Sequence, residues 1–291
     1  MKWMVVGAKG QLGTAVSHAL SRERLDYVSL DRADLDIVRE KEVSIVFSRE
    51  RPDIVVNAAA WTNVDLAESN ESLAYDVNVY GASLLAQECE NTGSKLIHIS
   101  TDYVFSGAAE GTWKEYATPN PTSIYGKTKW KGEEAVLAAH KNGTYVVRTA
   151  WLFSQWGDNF VKKMMRIASQ SSDEVHVISD QIGQPTSADD LALQLIKMVQ
   201  QDVNPGIYHG TNSGESSWYE FARYIFESID ADPERVVPKI SIPVEGTADR
   251  PKYSVLSHAG WGTTGMNPMR DWREALHESA PSILSAIKNG M

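Results

Sequence analysis

The sequence predicts an α/β fold, a doubly wound parallel sheet with helices on both faces. Three observations carry that expectation. Short apolar runs alternate with helical stretches through the first 150 residues, and parallel strands need such crossovers. The first run, Trp3-Met4-Val5-Val6, ends in the turn Gly7-Ala8-Lys9-Gly10-Gln11-Leu12-Gly13, which opens a helix through Ala15, Val16, Ala19 and Leu20. Residues suited to chemistry, Gly7, Asp31, Ala58 and Ser100-Thr101, fall at the carboxyl ends of predicted strands, where open α/β sheets hold their ligands.

The elements follow in order. Tyr27-Val28-Ser29-Leu30 is a second strand ending at Asp31-Arg32. Leu35-Asp36-Ile37 opens the next segment, with a helix to about Arg49. Asp53-Ile54-Val55-Val56-Asn57 is a third strand, entered through Pro52 and leaving through Ala58-Ala59-Ala60-Trp61-Thr62. Residues 72–91 read as one long helix, and Lys95 to Ser100 as the fourth strand. Tyr145 to Arg148, Val175 to Ile178 and Gly206 to His209 read as further strands. Beyond Trp151 the pattern loosens into amphipathic helices at 218–229 and 271–278, separated by a proline-rich stretch. Residues 1–150 are therefore expected to form a Rossmann-type NAD(P)-binding domain to which about 175–210 returns. Residues 151–291 are expected to form mainly a smaller substrate-binding part.

Composition narrows the class. The 291 residues, 42% hydrophobic and 23% charged, are ordinary for a globular protein with a substantial core. A net charge of −10 disfavours nucleic acid and anionic membrane surfaces as partners. Cys89 is the single cysteine, so no intrachain disulfide and no cysteine metal cluster is expected. The amino terminus runs straight into a strand, without a signal-peptide core, and a cytoplasmic location is expected.

The glycine turn has the spacing Gly-x-x-Gly-x-x-Gly. Between a strand and a helix such a turn lets backbone approach a pyrophosphate, which the helix amino end then binds. Asp31 suits a ribose 2′-hydroxyl, whereas Arg32 and Lys9 suit a 2′-phosphate. A nicotinamide dinucleotide is implied, with NADPH or NADH left open. The small residues Ala58, Ala59 and Ala60 would let a bulky ligand lie against backbone, although tight helix packing accounts for them equally well. Tyr125 and Lys129 stand one helical turn apart on one face. With the Thr101 hydroxyl they would place a phenol and an ammonium at the mouth of the sheet, the equipment for moving one proton beside a bound cofactor.

Thr101 with Tyr125-x-x-x-Lys129, behind the glycine turn, resembles the extended short-chain dehydrogenase/reductases. Residues 57–68, Ser100-Thr101-Asp102-Tyr103-Val104-Phe105, Arg148-Thr149-Ala150-Trp151-Leu152-Phe153, Asp180 to Thr186 and Asp249-Arg250-Pro251 are similar to one branch, the dTDP-4-dehydrorhamnose reductases. The resemblance implies reduction of the C4 ketone of dTDP-4-dehydro-L-rhamnose to dTDP-L-rhamnose by NADPH or NADH. It implies Tyr125 as proton donor, Lys129 as ribose ligand lowering the phenol's pKa, and Thr101 on the carbonyl. Gly10, Gln11 and Leu12 would meet the pyrophosphate, Asp36 and Ile37 the adenine, and Ala60 and Thr62 the inner half of the cofactor. Asp102, Tyr103, Trp151 and Asn159 would contact the dTDP-linked 4-keto-6-deoxy sugar.

Some members of the branch bind magnesium at a dimer interface through an acid after the glycine turn. Thr14-Ala15-Val16 holds no carboxylate there, so no structural metal is expected, and a monomer or weak homodimer. Related 4,6-dehydratases carry an Asp-Glu pair after the threonine. Here Tyr103 follows Asp102, which favours a reductase over a dehydratase or epimerase. The intact Thr101, Tyr125 and Lys129 argue against a non-catalytic regulatory subunit resembling methionine adenosyltransferase beta.

Overall fold

The structure, a computed structural model, describes residues 1–108 and 111–290. Its centre is a six-stranded parallel sheet built from Lys2–Val6, Asp26–Leu30, Ile54–Asn57, Lys95–Thr101, Thr144–Thr149 and Gly206–His209. Counted in chain order, the strands lie 2-1-3-4-5-6 across the sheet, so the winding reverses between the first and third. That reversal opens a crevice at their carboxyl ends. Register aligns those ends: Val6 pairs with Leu30 on one side and Asn57 on the other, and Thr101 pairs with Thr149.

The alternation of side chains along the inner strands divides the core in two. Trp3, Val5, Ile54, Val56, Ile97, Tyr145 and Val147 face helices Gln11–Arg22 and Ala188–Gln200. Met4, Val6, Val55, Leu96 and Val146 face helices Glu40–Glu50, Ala82–Thr92 and Ile124–Ala139. Cys89 is buried there, and burial pushes its thiol pKa up. A third core joins helices Phe160–Gln170, Trp218–Glu227 and Trp272–Lys288 on the carboxyl-terminal side. No helix among the described residues is long and apolar enough to cross a membrane.

Three expectations change. Val175–Ile178 lies outside the central sheet and pairs in parallel with Val236–Lys239. Only Val177 among its residues is buried, unlike the fully buried Ile54–Asn57, as suits a peripheral ribbon rather than a strand covered on both faces. The long helix at 72–91 is helix Glu71–Tyr75, a π turn Asp76–Gly81, and helix Ala82–Thr92. At the π turn the Asn78 side chain accepts from the Trp61 amide at 2.8 Å and donates to Thr128 Oγ1 at 3.0 Å. The last helix runs from Trp272 to Lys288, well past residue 278, with Asp271 as its cap and Pro281 inside it.

Candidate active site

The glycine turn is shaped by contact with backbone. Gly7 has φ +80, and a Cβ there would lie 2.6 Å from the Ala59 nitrogen. Gly13 packs as closely on the Gly7 carbonyl, where a Cβ would stand at 2.2 Å, so it shapes the turn and does not line the cavities beside it. The helix that starts at Gln11 has neither a side-chain cap nor an acid in its first turn. Its amino end is therefore left for an anion.

Two cavities of about 350 Å³ each meet over this turn and share Gly10, Ala58, Ala60 and Thr62. The outer one is lined by Gly7, Lys9, Asp31, Arg32, Asp36, Ile37 and Ala59 among others. Lys9 is ion-paired with Asp31, which also accepts from the Ala33 amide at 2.6 Å. Those contacts hold the Asp31 carboxyl below its usual range. The inner cavity adds Gln11, Leu12, Thr101, Asp102, Tyr103, Tyr125, Lys129 and Trp151. A trough with an uncapped helix end at its middle fits a dinucleotide stretched over the sheet, adenosine outside and nicotinamide within. Two buried hydroxyls in the inner lining, Ser100 Oγ and Thr149 Oγ1, have no hydrogen-bond partner among the described residues and can serve a ligand.

The helix Ile124–Ala139 delivers Tyr125 and Lys129. Ser123 caps it, accepting from the Gly126 amide at 3.1 Å, and Glu68 accepts from the Ile124 amide at 2.8 Å. The Tyr125 ring meets Tyr103 edge-on, with centres 5.6 Å apart. Thr101 Oγ1 donates to Asp102 Oδ1 at 3.0 Å and accepts from the Tyr103 amide at 3.2 Å. One turn beyond Lys129 on the same face, Glu133 binds Arg148 by two bonds of 2.9 and 2.7 Å. This buried pair ties the helix to the fifth strand.

Burial governs the electrostatics. Tyr125 keeps part of its surface open to the cavity, yet burial pushes its phenol up to about 12, opposed by Thr101. The expected lowering of this pKa by Lys129 is not found. Lys129 Nζ instead donates to the Ile99 carbonyl at 2.7 Å, and burial lowers its own pKa to about 8, opposed by Glu133. A phenol is protonated at neutral pH even without that rise, so Tyr125 stands in the cavity as an acid. Burial raises Asp102 to about 6, and the nearby Ser254 and Thr101 hydroxyls oppose the rise. Its Oδ2 has no donor in hydrogen-bond geometry among the described residues.

A raised carboxyl pKa means the folded state holds its proton more tightly than the unfolded chain. Asp102 therefore contributes stability below its ordinary pKa of about 4, and that contribution is lost as pH rises through about 6. In Asp102→Asn, that part of the pH dependence of the urea midpoint is expected to vanish. An unchanged slope between those pH values would show that Asp102 ionises normally.

Asn159 stands elsewhere than the resemblance implies. It does not line the cavity. Its Oδ1 caps the helix Phe160–Gln170, accepting from the Lys162 amide at 3.0 Å, and its Nδ2 donates to Gln11 Oε1 at 3.0 Å. Through that bond it touches Gln11, which does line the cavity. Thr149 and Val64 line the cavity without having been given a role, and Ser100, noted only for its place at a strand end, lines it too; a hydroxyl at a strand's carboxyl end is the signal that Thr149 shares with Ser100. A long-range tie stands beside this wall. Asp65 accepts from Arg250 at 2.9 Å and from the Ala248 amide at 3.1 Å, and Arg250 lowers the pKa of neighbouring Tyr103, which burial raises.

A family model described as the RmlD substrate binding domain matches residues 1–284. The chain belongs to this family. Among similar members, a dTDP-4-keto-6-deoxy-D-glucose reductase of Streptomyces niveus is 42% identical, over 97% of each chain. A dTDP-4-dehydrorhamnose reductase of Streptomyces griseus is also 42% identical, over 97% of this chain and 94% of its own. The solved structure of dTDP-4-dehydrorhamnose reductase from Bacillus anthracis in complex with NADP superposes with a TM-score of 0.91 at 37% identity, covering 96% of this RmlD-family chain and 98% of its own.

Proposed function

We propose that this chain is an NADPH-dependent oxidoreductase that reduces the C4 ketone of dTDP-4-dehydro-L-rhamnose to dTDP-L-rhamnose. The observation that carries the reading is the inner cavity, where Thr101, Tyr125 and Lys129 stand together at the strand ends beside an uncapped helix terminus. The names and near-complete coverage of the relatives support the reaction and its cofactor. Arg32 and Lys9 at the outer cavity suit the 2′-phosphate of NADPH.

Bound in this trough, NADPH would supply a hydride to the carbonyl carbon. Tyr125, protonated at neutral pH as any phenol is, would give its proton to the carbonyl oxygen as negative charge develops there. The Thr101 hydroxyl, which donates to Asp102 in the structure, would turn to that oxygen to orient it, and the Lys129 ammonium would hold the nicotinamide ribose with the protons it does not give to the Ile99 carbonyl. Asp102, Tyr103 and Trp151 line the sugar nucleotide's side of the cavity. Gly7, Gly10, Gln11 and Leu12 hold the pyrophosphate, Asp31, Arg32, Asp36 and Ile37 the adenosine end, and Ala58, Ala59, Ala60 and Thr62 the path between them. In this reading residues 1–150, with the helix Ala188–Gln200 and strand Gly206–His209, hold the cofactor, and the remainder closes over the sugar. The absence of a carboxylate in Thr14-Ala15-Val16 supports a monomer or weak homodimer. Use of a reduced nicotinamide and a nucleotide sugar supports a cytoplasmic setting.

The test mixes purified protein with NADPH and the 4-keto sugar nucleotide, following loss of the reduced-nicotinamide absorbance and assigning product C4 configuration by NMR. Oxidation of NADPH with formation of dTDP-L-rhamnose is expected. dTDP-4-keto-6-deoxy-D-glucose is tested alongside, because the Streptomyces niveus relative named for it is equally similar. Absence of oxidation with every 4-keto sugar nucleotide would overturn the reading.

A further inference from the structure

The inner cavity has one wall whose construction the reaction itself does not explain. After the strand Thr144–Thr149 the chain turns through Trp151 at φ +45, in the left-handed region. A residue with a bulky side chain holds that conformation only where its surroundings enforce it. Here the enforcement is visible. The Trp151 carbonyl accepts from the Thr186 amide at 3.2 Å. Its indole lies flat on Trp218, with ring centres 3.6 Å apart and planes 11° from parallel.

Gly183 provides the clearance. Its φ is not in the left-handed region, so the backbone does not require glycine there. A Cβ, however, would lie 2.6 Å from Trp151 Cε2 and 2.7 Å from Cζ2. Trp218 is itself fixed. It opens a helix capped reciprocally by Ser217 and Glu220, and the Phe160 ring meets it at a steep angle, centres 4.6 Å apart. A tryptophan serving only the core would be enclosed on all sides. Trp151 remains partly open, and its opening is the cavity it shares with Thr101, Tyr103 and Tyr125.

We propose that Trp218 and Gly183 are positioning residues that hold Trp151 as a rigid aromatic wall for the sugar ring. A pyranose presents C–H faces, and a flat, immobile indole is the surface on which such a face gains most contact at least cost in side-chain freedom. The wall thereby fixes which carbon of the ring faces Tyr125. This inference rests on the sugar-nucleotide reading above.

The test is steady-state kinetics of Trp218→Leu, Trp218→Phe and Gly183→Ala, varying each substrate at saturating levels of the other. Trp218→Leu and Gly183→Ala are expected to raise KM for the sugar nucleotide about tenfold or more, the scale of losing one good apolar contact. KM for NADPH should stay at the parent value, and Trp218→Phe, which keeps a stacking ring, should recover most of the loss. A merely structural role would lower thermal stability and move both KM values together, and that result would overturn the proposal. Far-UV circular dichroism, which reads the strong indole transitions, gives a readout that needs no turnover. The parent should show an exciton couplet that Trp151→Phe and Trp218→Phe each abolish, with no further change in the double variant; its absence from the parent would refute the stacked wall. An inactive parent would sink the reductase reading, whereas an active parent with unaffected variants would sink only this inference.

Discussion

Tyr125→Phe is expected to cut turnover by about 100-fold or more while leaving cofactor binding near the parent value. The change deletes one hydroxyl and keeps the ring against Tyr103. General acid catalysis contributes on this scale, equivalent to about 3 kcal/mol of barrier. Other nearby proton sources are poorly suited. Lys129 gives one N–H to the Ile99 carbonyl and the others are assigned to the ribose, and an alcohol such as Thr101 is a far weaker acid than a phenol. Rates measured with saturating NADPH and 4-keto sugar nucleotide decide the matter. Near-parent turnover would mean that the acid lies elsewhere.

Glu133→Ala is expected to destabilise the fold by about 3–5 kcal/mol, the cost of leaving a buried charge without its partner. The side chains of Glu133 and Arg148 are only 3% and 2% exposed. With Glu133 gone, the guanidinium keeps, among the described residues, the Glu115 carbonyl at 3.2 Å and the Phe105 ring 5.0 Å from its carbon. Urea unfolding at neutral pH measures the loss. A shift below about 1 kcal/mol, the range of an exposed pair, would show that water reaches Arg148. The same variant removes the carboxylate that raises the Lys129 pKa, so that ammonium should titrate lower still.

What was readable in the chain is what local pattern encodes. Ile54-Val55-Val56 reads as an inner strand because both faces are buried, and Tyr125 and Lys129 read as neighbours because a helix repeats every 3.6 residues. Gly7 announces its turn because little else accepts its backbone angles beside Ala59. What was missed depends on partners remote in sequence. Val175–Ile178 looks like any short strand until Val236–Lys239 is placed beside it. The π turn at Asn78 is tied to Trp61 and Thr128, neither of them local. Asn159 resembles a ligand-binding amide but is engaged by its own helix and by Gln11. The Lys129 ammonium finds the Ile99 carbonyl only once helix and strand have met.

The tie between Asp65 and Arg250 joins positions 185 apart in the chain. Closing a loop of that length from an open coil costs about 5 kcal/mol in entropy, several times what a partly exposed ion pair returns. This contact cannot recruit its two ends; it can form only after the sheet and the carboxyl-terminal core have brought them within reach. The rim beside Tyr103 is therefore among the last parts of the molecule to assemble during folding, and a chain still lacking its final fifty or so residues has the catalytic groups without the seam that closes beside them.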